Sequence, residues 1–93
     1  KSTRPVLGVY FDPTYTGGGA KISRLSANEG AEKAGIPVGS IIRSIDGFKI
    51  ADTDTAIVRI RSCIPGATVT IVVDLPTGGS KTFKVTLGSA PSI

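Results

Sequence analysis

Residues Ala27–Gly47, which read ANEGAEKAGIPVGSIIRSIDG, decide the fold. The small, polar first part predicts one or two helical turns that stop at Gly35, because glycine readily adopts the left-handed conformation that ends a helix. Ser40–Ile45 is rich in β-branched residues and predicts a strand. Asp46-Gly47 then predicts a hairpin turn, because both central residues of such a turn need positive φ. Phe48–Ile50 is the predicted return strand.

Downstream of this hairpin, Asp52–Ile64 predicts the longer of two helices. Asp52, Thr53 or Asp54 can cap its start, and Pro65-Gly66 stops it. Its expected apolar stripe consists of Ala56, Ile57, Ile60 and Ile64, which follow helical spacing.

The remaining β-like runs flank these two units and are separated by glycine- and proline-rich turns. Together they predict an α+β fold, a small and partly open antiparallel β-barrel or sandwich capped by two α-helices. The loop Asp12–Gly19 carries three consecutive glycines. The predicted strands are Val6–Phe11, Ala20–Ser26, Thr68–Leu75 and Lys81–Leu87.

A chain of 93 residues is long enough for one domain, so we expect residues 1–93 to form a single domain. Its ordered part is expected to run from about residue 4 to residue 88, with 89–93 as a loose tail. The chain begins with Lys1 and not with Met, so we expect it to be a fragment of a longer protein. It has no apolar run long enough for a membrane span, which needs about 18 residues.

Composition excludes several classes of chemistry within this chain. There is no His and a single Cys, Cys63, so a Ser-His-Asp centre, an internal disulfide and a Cys/His zinc site are all excluded. We therefore expect no catalytic residues, no metal and no cofactor. The net charge is +4, but the basic residues are scattered and do not alternate with aromatic residues, so we expect no nucleic-acid binding.

Leu7-Gly8-Val9 is the most suggestive short motif. It offers three consecutive backbone N–H groups, and Gly8 has no Cβ, so a ligand can approach the backbone closely. A concave row of N–H groups suits an anion. An ordinary strand is the alternative interpretation of this triplet taken alone.

Three stretches together resemble the PDZ domains of bacterial HtrA (DegP-like) serine proteases. They are Arg4–Val9, then Ala31–Ile42 followed by Ile45-Asp46-Gly47, and finally Ile60–Ile71, which contains Pro65-Gly66-Ala67-Thr68-Val69-Thr70-Ile71. The resemblance covers nearly the whole chain.

This resemblance implies a non-catalytic module that captures hydrophobic C-terminal or unfolded peptide segments by β-strand addition. It implies that Leu7, Gly8 and Val9 bind the peptide carboxylate with help from Arg4. The peptide strand and its pocket are then expected to be formed by Val6, Tyr10, Phe11, Thr53, Ala56, Ile57 and Ile60. Ala56 is included because the helix register is open by one position.

The resemblance also implies a parent protein with a serine protease domain before Lys1 and an extracytoplasmic location, in the periplasm, the cell envelope or tethered to a membrane. Two alternatives stay open at this point. One is a structural scaffold that mediates oligomer contacts, and the other is a PDZ domain of a tail-specific or intramembrane protease.

Overall fold

The computed structural model describes residues 3–91, with side chains described from Pro5 to Ser89. These residues form short strands and two helices, which confirms the predicted α+β plan. In chain order the elements are β1 (Thr3–Val6), β2 (Val9–Phe11), β3 (Ala20–Leu25), α1 (Gly30–Ala34), β4 (Ile41–Ile45), β5 (Phe48–Lys49), α2 (Thr53–Arg61), β6 (Thr68–Asp74), β7 (Ser80–Thr86) and β8 (Gly88–Pro91).

The main sheet is antiparallel, with strand order β2-β3-β4-β6-β7, and the short β5 pairs with β4. β1 and β8 form a separate antiparallel pair. Strand β2 therefore lies at one edge of the main sheet. Helix α2 packs against β1, β3 and β4, which brings it beside that edge.

The core lies on the inner face of the sheet. Buried and exposed residues alternate along β6 and β7, because successive side chains of a strand point to opposite faces. The helices and the other strands contribute mostly aliphatic side chains to the same cluster. The buried apolar side chains are Leu7, Ala20, Ile22, Ala31, Ile36, Ile42, Ile45, Ile50, Ala56, Ile60, Val69, Ile71, Val73, Phe83, Val85 and Leu87.

Helix α2 begins at the predicted cap. The Asp52 carboxylate accepts hydrogen bonds from the Thr55 N–H (2.8 Å) and the Thr55 hydroxyl (2.7 Å), which satisfies a donor that the helix start leaves free. The helix ends at Arg61, earlier than predicted. The expected place of Ile64 in the apolar stripe is wrong, since its side chain lies beyond the helix and is 75% exposed.

The first β-like run is broken where the sequence predicts one continuous strand. Leu7 and Gly8 separate β1 from β2, and Gly8 has φ of +85°. A strand residue has strongly negative φ, so the chain turns at Gly8 and places β1 and β2 in different sheets.

The expected loose tail is wrong for residues 89–91. Gly88–Pro91 forms β8, which pairs with β1 in the register Arg4↔Ala90 and Pro5↔Ser89. Its small residues carry no strand signal, so local sequence patterns do not predict this pairing. Residues 92 and 93 lie outside the described part of the chain.

Among residues 3–91, no helix has the length and apolar character needed to cross a membrane.

Candidate functional site

A groove runs between β2 and α2. It consists of two adjoining cavities that share Val9, Tyr10, Phe11 and Ile57. The near cavity, of about 270 Å³, lies beside the Leu7-Gly8 turn. The far cavity, of about 580 Å³, lies beside the start of α2 and is lined there by Thr53. We call the two together the β2–α2 groove.

The edge of β2 that faces α2 carries backbone groups with no strand partner among the described residues. On the opposite edge, Ser26 N–H donates to Gly8 O (2.9 Å) and Asp12 N–H donates to Lys21 O (2.9 Å). The C=O and N–H of a trans peptide point in opposite directions, and no described peptide is cis. Val9 N–H and Phe11 C=O therefore point into the groove, where an added strand can bond to them.

The Leu7-Gly8 turn is held by its carbonyl groups. Leu7 O accepts from Ala31 N–H at 3.0 Å, and Gly8 O accepts from Ser26 N–H at 2.9 Å. Among the described residues, no acceptor receives the N–H of Leu7 or of Gly8. Because the carbonyl groups are turned to α1 and to the end of β3, the N–H groups of Gly8 and Val9 point away from both, and they leave a row of backbone donors at the near end of the groove.

Gly8 is required at this turn for two reasons. Its φ of +85° lies in the left-handed region, which L side chains rarely adopt. A Cβ atom at this position would also lie only 2.2 Å from Glu29 Cβ. The turn therefore packs directly against the residue that precedes α1, which fixes where its N–H groups point.

The near cavity has an apolar wall. Leu7 and Ile60 are almost fully buried, at 3% and 8% exposure, and Ile57 is half-buried. Ala56 does not line the groove, because its side chain is fully buried in the core. The register in which Ala56 faces the groove is therefore wrong, and Ile57 and Ile60 are the helix residues that face it.

The other predicted site residues are distributed along the groove. Val6, Leu7, Gly8 and Val9 line its near end, whereas Thr53 lines its far end. The binding roles of these residues stay predictions. The Arg4 side chain lies outside the described residues, although its backbone pairs with Ala90.

The sequence interpretation missed several lining residues. At the near end these include Arg61, which stands four residues after Ile57 and so shares its helix face. This four-residue spacing is enough to predict from the sequence that Arg61 lies on the same helix face as Ile57. The lining residues of the far end that were missed are Asp12, Pro13, Tyr15, Asp52 and Asp54.

Arg43 connects the glycine-rich loop at the far end of the groove to the main sheet. Its Nε binds the Asp74 carboxylate at 2.6 Å, and its guanidinium also donates to Gly18 O at 2.8 Å. Tyr15 O–H donates to the same carbonyl oxygen. These contacts position the glycine-rich loop, of which Asp12 and Tyr15 line the groove.

Two carboxylates at the far end, those of Asp12 and Asp52, accept hydrogen bonds from a threonine two or three residues further along the chain. A hydrogen bond from the Thr14 hydroxyl, with a second from its N–H, lowers the pKa of Asp12. The N–H and hydroxyl of Thr55 lower the pKa of Asp52 in the same way. No cluster of metal-binding side chains occurs among the described residues.

Comparisons with known proteins identify this architecture. The chain is 38% identical over 90 residues to serine protease PepD of Mycobacterium tuberculosis, a match that covers 97% of this chain and 19% of that protein. It is also 43% identical over 61 residues to a probable periplasmic serine endoprotease, DegP-like, of Bartonella henselae, covering 66% of this chain and 12% of that protein. No family model matches the chain.

The fold matches the crystal structure of the HtrA3 PDZ domain bound to a phage-derived ligand (FGRWV), with a TM-score of 0.76 and 14% identity. That match covers 96% of this chain and 89% of the other. The chain is a PDZ domain of the HtrA serine protease family. This PDZ domain corresponds to 19% of the length of PepD.

Proposed function

We propose that this PDZ domain binds the hydrophobic C-terminal residues of peptides and unfolded proteins by adding them as a strand to the free edge of β2. The observation that carries the proposal is the turn at Leu7 and Gly8. Both of its carbonyls are bonded to the protein, whereas its N–H groups, at the near end of the groove, have no acceptor among the described residues. A terminal carboxylate fits such a row of donors, because charge-assisted hydrogen bonds are the strong ones.

Strand addition follows from the free groups on β2. A ligand antiparallel to β2 with its carboxylate at the turn has its last residue opposite Val9 and its third-last residue opposite Phe11. Residues opposite each other in a sheet share a face, so these two ligand side chains point toward α2. The last side chain then fills the cavity beside Leu7 and Ile60. Burying one aliphatic side chain there contributes about 1.5–3 kcal/mol, so we expect Val, Ile, Leu or Ala as the last residue.

We further propose that the domain recognises substrates or regulates activity in a parent HtrA-like serine protease whose protease domain precedes it. The similarity to PepD and to the DegP-like endoprotease supports this proposal. An extracytoplasmic location of the parent is proposed on the name of the second relative, which is described as periplasmic.

A titration with paired peptides tests the binding mode. One apolar peptide that ends in Val is made with a free carboxylate and with a terminal amide. The free acid is expected to bind with an affinity in the micromolar range or weaker, because one added strand is a small interface. Amidation is expected to cost about 1.5–3 kcal/mol, the range for hydrogen bonds to a charged group.

The outcomes separate the proposal from its rivals. Equal binding of acid and amide would show recognition of internal segments and refute carboxylate capture. Failure of both peptides, and of a panel with other last residues, would favour the scaffold alternative, in which the groove binds no ligand.

A further inference from the structure

The side chain of Arg61 lies at the near end of the β2–α2 groove. It occupies the last turn of α2, is exposed, and lines the cavity formed by the Leu7-Gly8 turn and Ile60. Arg61 is not among the residues that the sequence predicts to bind the carboxylate.

Arg61 differs from the other arginines whose side chains are described. Arg24 stacks on the Tyr10 ring at 4.4 Å, and Arg59 stacks on the Phe48 ring at 3.7 Å. Arg43 forms an ion pair with Asp74. Among residues 5–89, no carboxylate or aromatic ring is found as a partner of the Arg61 guanidinium.

We infer that Arg61 is a second binding group for the terminal carboxylate of the ligand, opposite the N–H groups of the turn. The inference rests on the proposed function. A guanidinium has several donors in one plane and can bind a carboxylate with two hydrogen bonds. The two sides of the near cavity then supply different contacts, with backbone N–H groups from the β2 side and an exposed cation from α2.

The position of Arg61 favours the carboxylate over other ligand groups. The ligand runs along β2 with its last residue opposite Val9, so the α2 residues beside it are those of the last helical turn. The last side chain of the ligand contacts Ile60, which is nearly buried, whereas the neighbouring Arg61 is exposed at the rim.

Charge-matched variants test the assignment. Arg61→Gln removes the cation, Arg61→Lys keeps it, and Lys84→Gln removes one positive charge from β7, outside the groove. The probe is an apolar peptide ending in Val that contains no Asp or Glu, so its terminal carboxylate is its single anionic group. Each protein is titrated with the acid and with the amide form, at low salt and at high salt.

Arg61→Gln is expected to weaken the acid form about two- to fivefold at low salt, the range for a solvent-exposed ion pair. Binding of the amide should stay unchanged, Arg61→Lys should keep most of the affinity, and Lys84→Gln should resemble the original protein. The difference should shrink at about 1 M salt, where the screening length falls to about 3 Å.

Equal loss for acid and amide, or no loss for either, would overturn the role of Arg61. If the original protein prefers the acid and Arg61→Gln keeps the full preference, the proposed function stands and the inference about Arg61 is refuted. If the original protein does not distinguish acid from amide, both are refuted together.

Discussion

Replacing Gly8 with Ala should damage stability and binding together. Alanine at φ of +85° meets the strain of the left-handed region, which costs about 1–2 kcal/mol. Its Cβ would also lie 2.2 Å from Glu29 Cβ, an atom fixed to the backbone. Such overpacking costs about 1–3 kcal/mol. We therefore expect Gly8→Ala to lower the free energy of unfolding by about 2–5 kcal/mol in total.

A matched control separates the two costs. Gly47 has φ of +81° in the turn between β4 and β5, and a Cβ there would meet nothing within 4 Å. Gly47→Ala should therefore show the backbone strain alone, and it should leave peptide affinity unchanged. Denaturant unfolding measures the stability of each variant, and a titration with the Val-ended acid peptide measures its binding.

A double-mutant cycle identifies the contact itself. Glu29→Gly removes the clashing Cβ, and the nearest remaining Glu29 atom, its Cα, is at an ordinary 3.5 Å. In that background Gly8→Ala should cost about as much as Gly47→Ala does, so the coupling free energy should be about 1–3 kcal/mol. If Gly8→Ala is no worse than Gly47→Ala, or if Glu29→Gly gives no relief, the packing of the turn against Glu29 does not control its conformation.

Two further predictions concern α2. Ile60→Ala should cost about 2–5 kcal/mol of stability, since the side chain is 8% exposed in the core, and should also shift the preferred last ligand residue from Val toward Leu or Phe. Melting and a peptide panel measured on one sample check this, and unchanged preference in the folded variant would assign Ile60 to the core alone. Asp52→Asn should destabilise the protein most at neutral pH. The hydrogen bonds from Thr55 lower the folded-state pKa of Asp52 below its ordinary value of 3.8, so its contribution is present above that value and is lost as the pH falls through the folded-state pKa. Parallel melting curves of both proteins from pH 7 to about pH 2 should therefore converge, and a constant gap would contradict this role of the carboxylate.

Local signals in the sequence determined the hairpin turn between β4 and β5 and the start of α2, which lines the far end of the groove. Asp46 and Gly47 adopt the positive φ angles of 50° and 81° that the hairpin turn requires. Asp52 caps α2 through Thr55, three residues away. Each of these signals is complete within a few residues, so neither depends on the rest of the chain.

The tertiary structure alone decided which surfaces meet. The pairing of β8 with β1 joins opposite ends of the chain, and small residues such as Gly88 and Ser89 carry no sign of it. The rotation of α2 is likewise a packing result, since Ala56 and Ile57 are adjacent apolar residues but only Ala56 is fully buried. That rotation brings Arg61 to the groove. The physical reason is that a helical pattern defines an apolar face only to within about one residue, or 100° of rotation, whereas the fit against β1, β3 and β4 selects a single orientation.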